Sequence, residues 1–433
     1  MNKPVFVISS PYDTLSGYGA RARDIIKAVI NLDKYDVKLI PQKWGATAWG
    51  FCDNNPEWAY LHNYKLEGAL TQKPDIWMQI TIPNEFQPMG KYNIGVTAGI
   101  EATLCKAEWI EGLNRMDMNC VSSNFAKQTF ENSKYERRNK QTNAVEGLLQ
   151  LEKPIEVVFE GVDLDVYKHI EPKEIKTINL DRIKESFCYL FVGHWMSGDF
   201  GHDRKNVSLL IKSFYEVFKN KPLKPALILK TSIGVESYIS RDEILDRIKI
   251  IRESVNSSDL PNIYLINGEF SDFEMNELYN HPKVKVMVSL TKGEGFGRPL
   301  LEFSLTGKPI ITSNWSGHTD FLKQNLSTLI SGELEDVHPS AANNWLIKES
   351  KWFKPNTVEI GRHLKDTYSK KYKQYTLGGK QQKQYSKSNF SFEKMQELIS
   401  NILEKNVPEF PKQVQLILPN LKKIELPKLK KIE

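Results

Sequence analysis

The residues best suited to chemistry fall in one stretch, Gly293-Glu294-Gly295-Phe296-Gly297-Arg298-Pro299-Leu300-Leu301-Glu302. Pro299 suits the first position of a helix, Gly307 lies just past its expected end, and Pro309 blocks its continuation. A glycine loop running into a helix lets backbone N–H groups approach an anionic or polar ligand closely. Glu294 would lie in the loop and Glu302 about one turn into the helix, which lets both carboxylates face the same cleft. Two carboxylates so placed can accept hydrogen bonds from sugar hydroxyls, one from a hexose and the other from a ribose. The plainer alternative is a glycine-rich loop with two solvated glutamates.

Other chemistries are argued against. Cys52, Cys105, Cys120 and Cys188 form no CxxC pair, and no Cys/His cluster has zinc-ligand spacing. That usage fits a reducing compartment and predicts no metal. There is no GxGxxG after the first strand and no GxxxxGK[ST], against a dinucleotide enzyme and a P-loop ATPase. Asp199-Phe-Gly201 imitates a kinase triplet without its partner motifs. His194 and His202 precede Lys205 in one loop, and both are read as packed or surface histidines rather than catalytic ones.

Elements must hold these residues in place. Along most of the 433 residues, short β-branched apolar runs alternate with segments of 3.6-residue period. Strands are predicted at 5–9, 37–40, 76–80, 94–97, 119–122 and 155–159, with helices over 21–30 and from Asn124. Ser133–Leu148, polar and aperiodic, reads as a mobile surface loop with a weak helix. Trp44, Trp49, Phe51 and Trp58 fall in a polar loop, where aromatics stack on a sugar or base or, more commonly, pack as a satellite core. A second series has strands at 188–192, 226–229, 263–266, 284–289 and 310–313. Asn206 is predicted to cap a helix over 207–218, and Ser240–Glu243 and Ser271–Glu274 read as capping boxes. Strands separated by single helices demand right-handed crossovers into parallel sheets covered on both faces. The fold class is therefore α/β, two tandem doubly wound, Rossmann-like domains facing a cleft that is the default ligand site.

Glu294 and Glu302, with seven residues between them in GEGFGRPLLE, resemble the E-x7-E signature of retaining glycosyltransferases of the GT-B fold, in the family 4-like group. The similarity runs from residue 4 to about 325 and includes Ser16-Gly17-Tyr18-Gly19, Glu160-Gly161-Val162-Asp163, Val192-Gly193, Arg204-Lys205-Asn206 and Lys308–Gly317. His194-Trp195 depart from it where the family has an Arg after the glycine, and Phe303 where it favours a small residue. The resemblance implies a UDP- or GDP-sugar as donor substrate, no required cofactor, and hexosyl or pentosyl transfer. Lys205, with Arg204, would neutralise the diphosphate of the leaving group. Gly17 and Gly19 would bring backbone N–H groups and the positive end of a helix beginning near Ala20 to the same phosphates. Glu302 would bind the ribose, and Glu294, in its loop with Gly295, Phe296 and Gly297, the transferred sugar. Lys230 would add a phosphate contact or be a charge at a strand mouth. Glu101 would orient the acceptor hydroxyl or the sugar, or be a salt-bridged glutamate. The catalytic set so implied is Glu294, Lys205 and Glu101. The acceptor hydroxyl attacks on the leaving-group face and a donor phosphate oxygen takes its proton, so no protein nucleophile is named. Asp163-Leu-Asp165, a DxD of the kind that binds metal in another glycosyltransferase fold, lies in a turn and is read as structural. The expected domains are an acceptor-side unit at 1–180, a donor unit at 186–375, a helix returning to the first unit at 389–407, and a basic repeated tail at 408–433.

Charge bears on the acceptor. Residues 361–433 carry 16 Lys and Arg against 7 Asp and Glu, whereas 1–360 carry 43 against 46. Such asymmetry marks contact with a polyanion or an anionic membrane surface, or serves solubility. With the aromatic loop and a general similarity to virus-encoded glycosyltransferases, it favours sugar transfer to a hydroxymethylated base in DNA. The alternatives are transfer to a polysaccharide, lipid-linked glycan or glycoprotein, and a non-catalytic nucleotide-sugar or nucleic-acid binding protein. Leu418–Glu425 is repeated as Leu426–Glu433 with seven of eight positions identical. Gln415–Leu418 faintly resembles a sliding-clamp peptide, with Pro419 where that motif wants an apolar residue. No run approaches the ~18 apolar residues of a membrane span. The expected location is cytoplasmic, a host's cytoplasm if the chain is virus-encoded.

Overall fold

The computed structural model describes residues 3–410 apart from 46, 140, 235 and 236, so the repeated tail and the clamp-like peptide lie outside the described residues. The apolar runs of the first half form one parallel sheet in the order Asp36–Pro41, Val5–Ser10, Ile76–Ile80, Tyr92–Thr97, Met118–Val121, Ile155–Val157. Ile76–Ile80 is buried at every position, as a strand covered on both faces must be. The second half repeats the plan with Ile263–Ile266, Ala226–Lys230, Cys188–Val192, Val284–Ser289, Ile310–Ser313 and Thr328–Ile330, again all parallel. These are two Rossmann-like units. In each, the first strand lies inside the sheet and the winding reverses beside it. Open parallel sheets bind ligands at that reversal, beyond the carboxyl ends of the strands. In the second sheet the reversal falls between Cys188–Val192 and Val284–Ser289, whose outgoing loops are residues 193–206 and 290–297.

The chain passes between the units twice, and the two passages pair. Val162 N–H donates to Phe390 O and Phe392 N–H to Val162 O, each at 2.9 Å. Helix Phe392–Asn406 then buries Phe392, Met395, Ile399, Ile402 and Leu403, at helical spacing, in the core that holds Phe6, Ile25 and Ile94 of the first unit. Each such side chain contributes roughly 1.5–3 kcal/mol by leaving water.

Several local expectations are corrected. Ser133–Leu148 is not a loop with a weak helix: Tyr135–Arg138 pairs antiparallel with Val145–Leu149. Its turn is closed by the Asn139 side-chain oxygen, which accepts from Gln141 and Thr142 N–H. Both faces are largely exposed, which erased the alternation that would have marked it. The helix expected to open at Ser240 opens at Tyr238, where Ser237 and Ser240 cap each other's backbone N–H. Asn206 adopts a left-handed φ of 56° and its side chain caps nothing. Asp203 does that work, accepting from Val207 N–H at 2.9 Å and Ser208 Oγ at 2.8 Å. The helix expected near Ala20 runs from Gly17 to Asn31, capped by Ser16. Phe51–Asn54 and Pro56–Tyr64 are short helices rather than loop, and Phe51 lies 3.5 Å beneath the Arg23 guanidinium. Strands Gly332–Asp336 and Lys351–Pro355 and helices Thr357–Thr367 and Tyr372–Asn389 are additional elements. Among the described residues, no helix is long and apolar enough to cross a membrane.

Candidate active site

Strand Val284–Ser289 delivers the glycine loop to the reversal point, and helix Arg298–Ser304 leaves from it with Gly297 at its cap in a left-handed φ of 94°. The loop is pressed against the first unit. A methyl on Gly293 would lie 2.4 Å from Glu101 O, and one on Gly295 would lie 2.8 Å from Ala98 O. Ser122 and Ser123 donate their hydroxyls to Gly295 O at 3.1 and 2.6 Å. On the other side Glu294 N–H donates to Ser316 Oγ at 2.9 Å and Gly317 N–H to Glu294 O at 3.0 Å. The loop is thus held from both units before any ligand arrives.

This geometry brings four of the expected residues together. Lys205 Nζ lies 2.6 and 2.7 Å from the two oxygens of Glu294. Arg204 Nη1 lies 3.1 Å from Glu101 Oε1 and 3.8 Å from Glu294 Oε2, and donates to Gly293 O at 2.8 Å. Burial works to raise the Glu294 carboxyl, but Lys205 and Arg204 outweigh it and hold the group below the ordinary carboxylate range. Burial pulls the Lys205 ammonium down against the attraction of Glu294. Glu101 is therefore a salt-bridged glutamate whose ion pair spans the two units.

Glu302 belongs to a second cluster, with no partner in common with Glu294. Arg298 Nε donates to Glu302 Oε1 at 2.9 Å, and Tyr279 OH to Oε2 at 3.1 Å. The same guanidinium donates through Nη1 to Asp24, on helix Gly17–Asn31 of the first unit. The two buried carboxylates share this guanidinium, and Arg23 also acts on Asp24. Burial pushes Glu302 up to about 7 and raises Asp24, in both cases against Arg298. Arg298 and Asp24 were missed as site residues. The signal was present, because Arg298 stands four residues before Glu302 on one helix, the spacing at which side chains meet.

The remaining expected residues are more dispersed. The Phe296 ring is buried against Phe321, 4.9 Å between centroids, so the site receives only its backbone. Gly19 N–H is taken by Ser16 Oγ at 2.9 Å, and a methyl there would lie 2.3 Å from Thr14 O, which gives this glycine a steric reason. Gly17 is exposed and open. Lys230 Nζ donates to Gly268 O at 2.5 Å and lies 5.1 Å from the Phe270 ring centroid. Trp44 stacks on Tyr18 at 3.9 Å, and Tyr18 OH meets Thr97 Oγ1 at 2.9 Å at the base of the loop carrying Glu101. Among the described residues, no group of three or more His, Cys, Asp or Glu side chains could hold a metal ion.

Neither a protein-family model nor a curated protein sequence matches this chain. Solved structures do match along nearly its whole length. HepE of Anabaena, in complex with UDP and glucose, is 13% identical, with a TM-score of 0.60 over 93% of this chain and 100% of that one. Sucrose-phosphate synthase from Thermosynechococcus elongatus is 12% identical, with a TM-score of 0.58 over 93% and 99%. A glycosyltransferase from Rickettsia africae ESF-5 is 14% identical, with a TM-score of 0.55 over 94% and 99%. At these identities the likeness is one of fold, the two-unit GT-B arrangement.

Proposed function

We propose that this chain is a retaining, metal-independent glycosyltransferase that moves a hexosyl or pentosyl unit from a UDP- or GDP-sugar to an acceptor hydroxyl. The observation that carries the reading is the convergence of Lys205 and Arg204 on Glu294 and Glu101 at the winding reversal of the second sheet, facing the first unit. HepE, matched over its full length, holds UDP and glucose in one structure and UDP-glucose in another, which supports a nucleotide-sugar donor here.

In this reading Lys205 is exchanged from Glu294 to the donor diphosphate. The exchange neutralises the leaving group and frees carboxylate oxygens of Glu294 for hydroxyls of the transferred sugar. The acceptor oxygen bonds to the anomeric carbon on the face that the diphosphate leaves, the bond from that carbon to the phosphate oxygen breaks, and the leaving phosphate takes the acceptor proton. The two fixed cations do the charge neutralisation often done by a metal ion, which supports independence from metal. Four buried free thiols support a cytoplasmic setting.

For the acceptor, the basic C-terminal charge favours a hydroxymethylated base in DNA, with polysaccharide, lipid-linked glycan or glycoprotein as the competing class. Incubation with UDP- and GDP-sugars, with and without chelator, tests the reaction class. Hydrolysis or transfer should survive chelator, and the product should keep the donor's anomeric configuration. An inverted product, or loss of activity with chelator, overturns the proposal. Offering hydroxymethylated DNA beside glycan acceptors separates the two acceptor classes.

A further inference from the structure

The loop leaving the innermost strand of the second sheet begins Gly193-His194-Trp195. It is fastened to the neighbouring strand and its turn, Gly193 N–H donating to Lys230 O at 3.2 Å and Trp195 N–H to Ser232 O at 2.8 Å. Between these anchors the His194 ring is oriented by Nδ1, 2.8 Å from Ser232 Oγ. Nε2 makes no hydrogen bond to the described residues and the ring is half-buried. Gly193 backs on Lys205, whose Cε lies 3.8 Å from the position of a Cβ at 193.

Among the described residues, the charged groups that act most on this ring are cations: Lys205 and Arg204 from the end of its own loop, and Lys230 from the adjacent strand. The acid next to them, Glu294, is engaged by Lys205. Burial first, then these three cations, hold the imidazole below its ordinary value. A diphosphate delivered to Lys205 brings negative charge that offsets that field and favours the charged ring, and a ring already oriented by Ser232 meets it without a conformational search.

We propose that His194 is a donor-binding residue that takes up a proton from solvent as the diphosphate enters and donates Nε2–H to a phosphate oxygen, so that nucleotide-sugar binding is coupled to pH. This rests on the glycosyltransferase reading above and replaces the view of His194 as a merely packed side chain.

Calorimetry with UDP-glucose and with GDP-mannose tests it, in two buffers of different ionisation enthalpy and across pH ~6–8, around the ordinary histidine value. The sugar-linked diphosphate carries no group that titrates near neutrality, so a proton taken up on binding belongs to the protein. The expected result is uptake of up to about one proton per donor, with affinity falling by up to roughly tenfold per pH unit as pH rises. His194→Gln should abolish both the uptake and the slope, while His194→Arg should abolish them and keep tight binding throughout. If His194→Gln fails to fold, His194→Arg carries the comparison alone. Wild-type binding without proton uptake, or a pH slope that survives in the variants, overturns the His194 proposal and leaves the glycosyltransferase reading standing. Failure of wild type to bind either donor overturns both.

Discussion

Replacing Lys205 by methionine separates a structural ion pair from a donor-binding one. Its ammonium lies 2.6 and 2.7 Å from the Glu294 oxygens, and the two side chains are 14% and 10% exposed. Removing one partner of a buried pair costs about 3–5 kcal/mol when the other charge is left alone. Arg204 stands 3.8 Å from the same carboxylate and compensates in part, so Lys205→Met should lose about 2–3 kcal/mol of stability. Glu294→Gln keeps an amide oxygen for Lys205 and should lose about 1–2 kcal/mol. The double variant buries no unpaired charge, and its loss should fall short of the sum by roughly 1–3 kcal/mol. Donor affinity should behave differently. Charge-assisted hydrogen bonds to a diphosphate are worth about 1.5–3 kcal/mol, or roughly 10–150-fold in affinity, and the double variant cannot recover them. Urea unfolding reads the first quantity and calorimetry with UDP-glucose the second. A double variant that regains stability and binds donor as tightly as wild type would refute the assignment, leaving Lys205 as the counter-ion of Glu294 and nothing more.

Two further outcomes follow from the same geometry. In Gly293→Ala the new methyl would sit 2.4 Å from Glu101 O, so the units must part at this contact while each keeps its own core. The melting temperature should change little and kcat should fall at least about tenfold, since misplacement of about 1 Å costs up to 100-fold; unchanged kcat would mean that closure here is not needed. For Glu302, the folded carboxyl lies at about 7, above its ordinary value of 4.5, so the native state binds the extra proton between those values. Stability from this group therefore falls as pH rises through that window, by at most about 3 kcal/mol, with Asp24 adding to the slope. Glu302→Gln should flatten most of the slope in denaturant unfolding, and an unaltered slope would show that Glu302 keeps its charge through the Arg298 pair.

The sheets were readable because buried parallel strands leave apolar runs: 76–80 and 188–192 match the observed bounds to the residue. Elements whose apolar face is thin were not. The hairpin Tyr135–Arg138 with Val145–Leu149 exposes nearly all its side chains, and its turn is closed by local hydrogen bonds around Asn139 that leave no apolar signal. Cap identity was readable where the capping side chain is adjacent, as at Ser271 with Glu274, and missed where Asp203 reaches over three residues to Val207. The carboxylate pair of the glycine loop was visible from its spacing, but its counter-ions were not equally so. Lys205 comes from 89 positions away and Asp24 from 274 positions before Arg298, distances that only the closed fold spans.

The glycines of the loop carry the last step of the argument. From sequence they read as a backbone cradle for an anion, yet Gly293 and Gly295 are demanded sterically by Glu101 O and Ala98 O of the opposite unit, and Gly317 by Gly295 O. The motif is thus an interface before it is a binding loop. Its two glutamates are stitched into that interface by different cations, Glu294 through Lys205 and Arg204, Glu302 through Arg298 and on to Asp24. Under the proposed reading the cleft holds, as internal ion pairs, the charges that the donor uses. An arriving diphosphate competes for Lys205 and Arg204 and so loosens Arg204 from Glu101, one of the ties between the units, while Arg298 between Asp24 and Glu302 is left to keep the units in register. Binding at one cluster and retention at the other would let the cleft admit a ligand without losing the alignment that transfer requires.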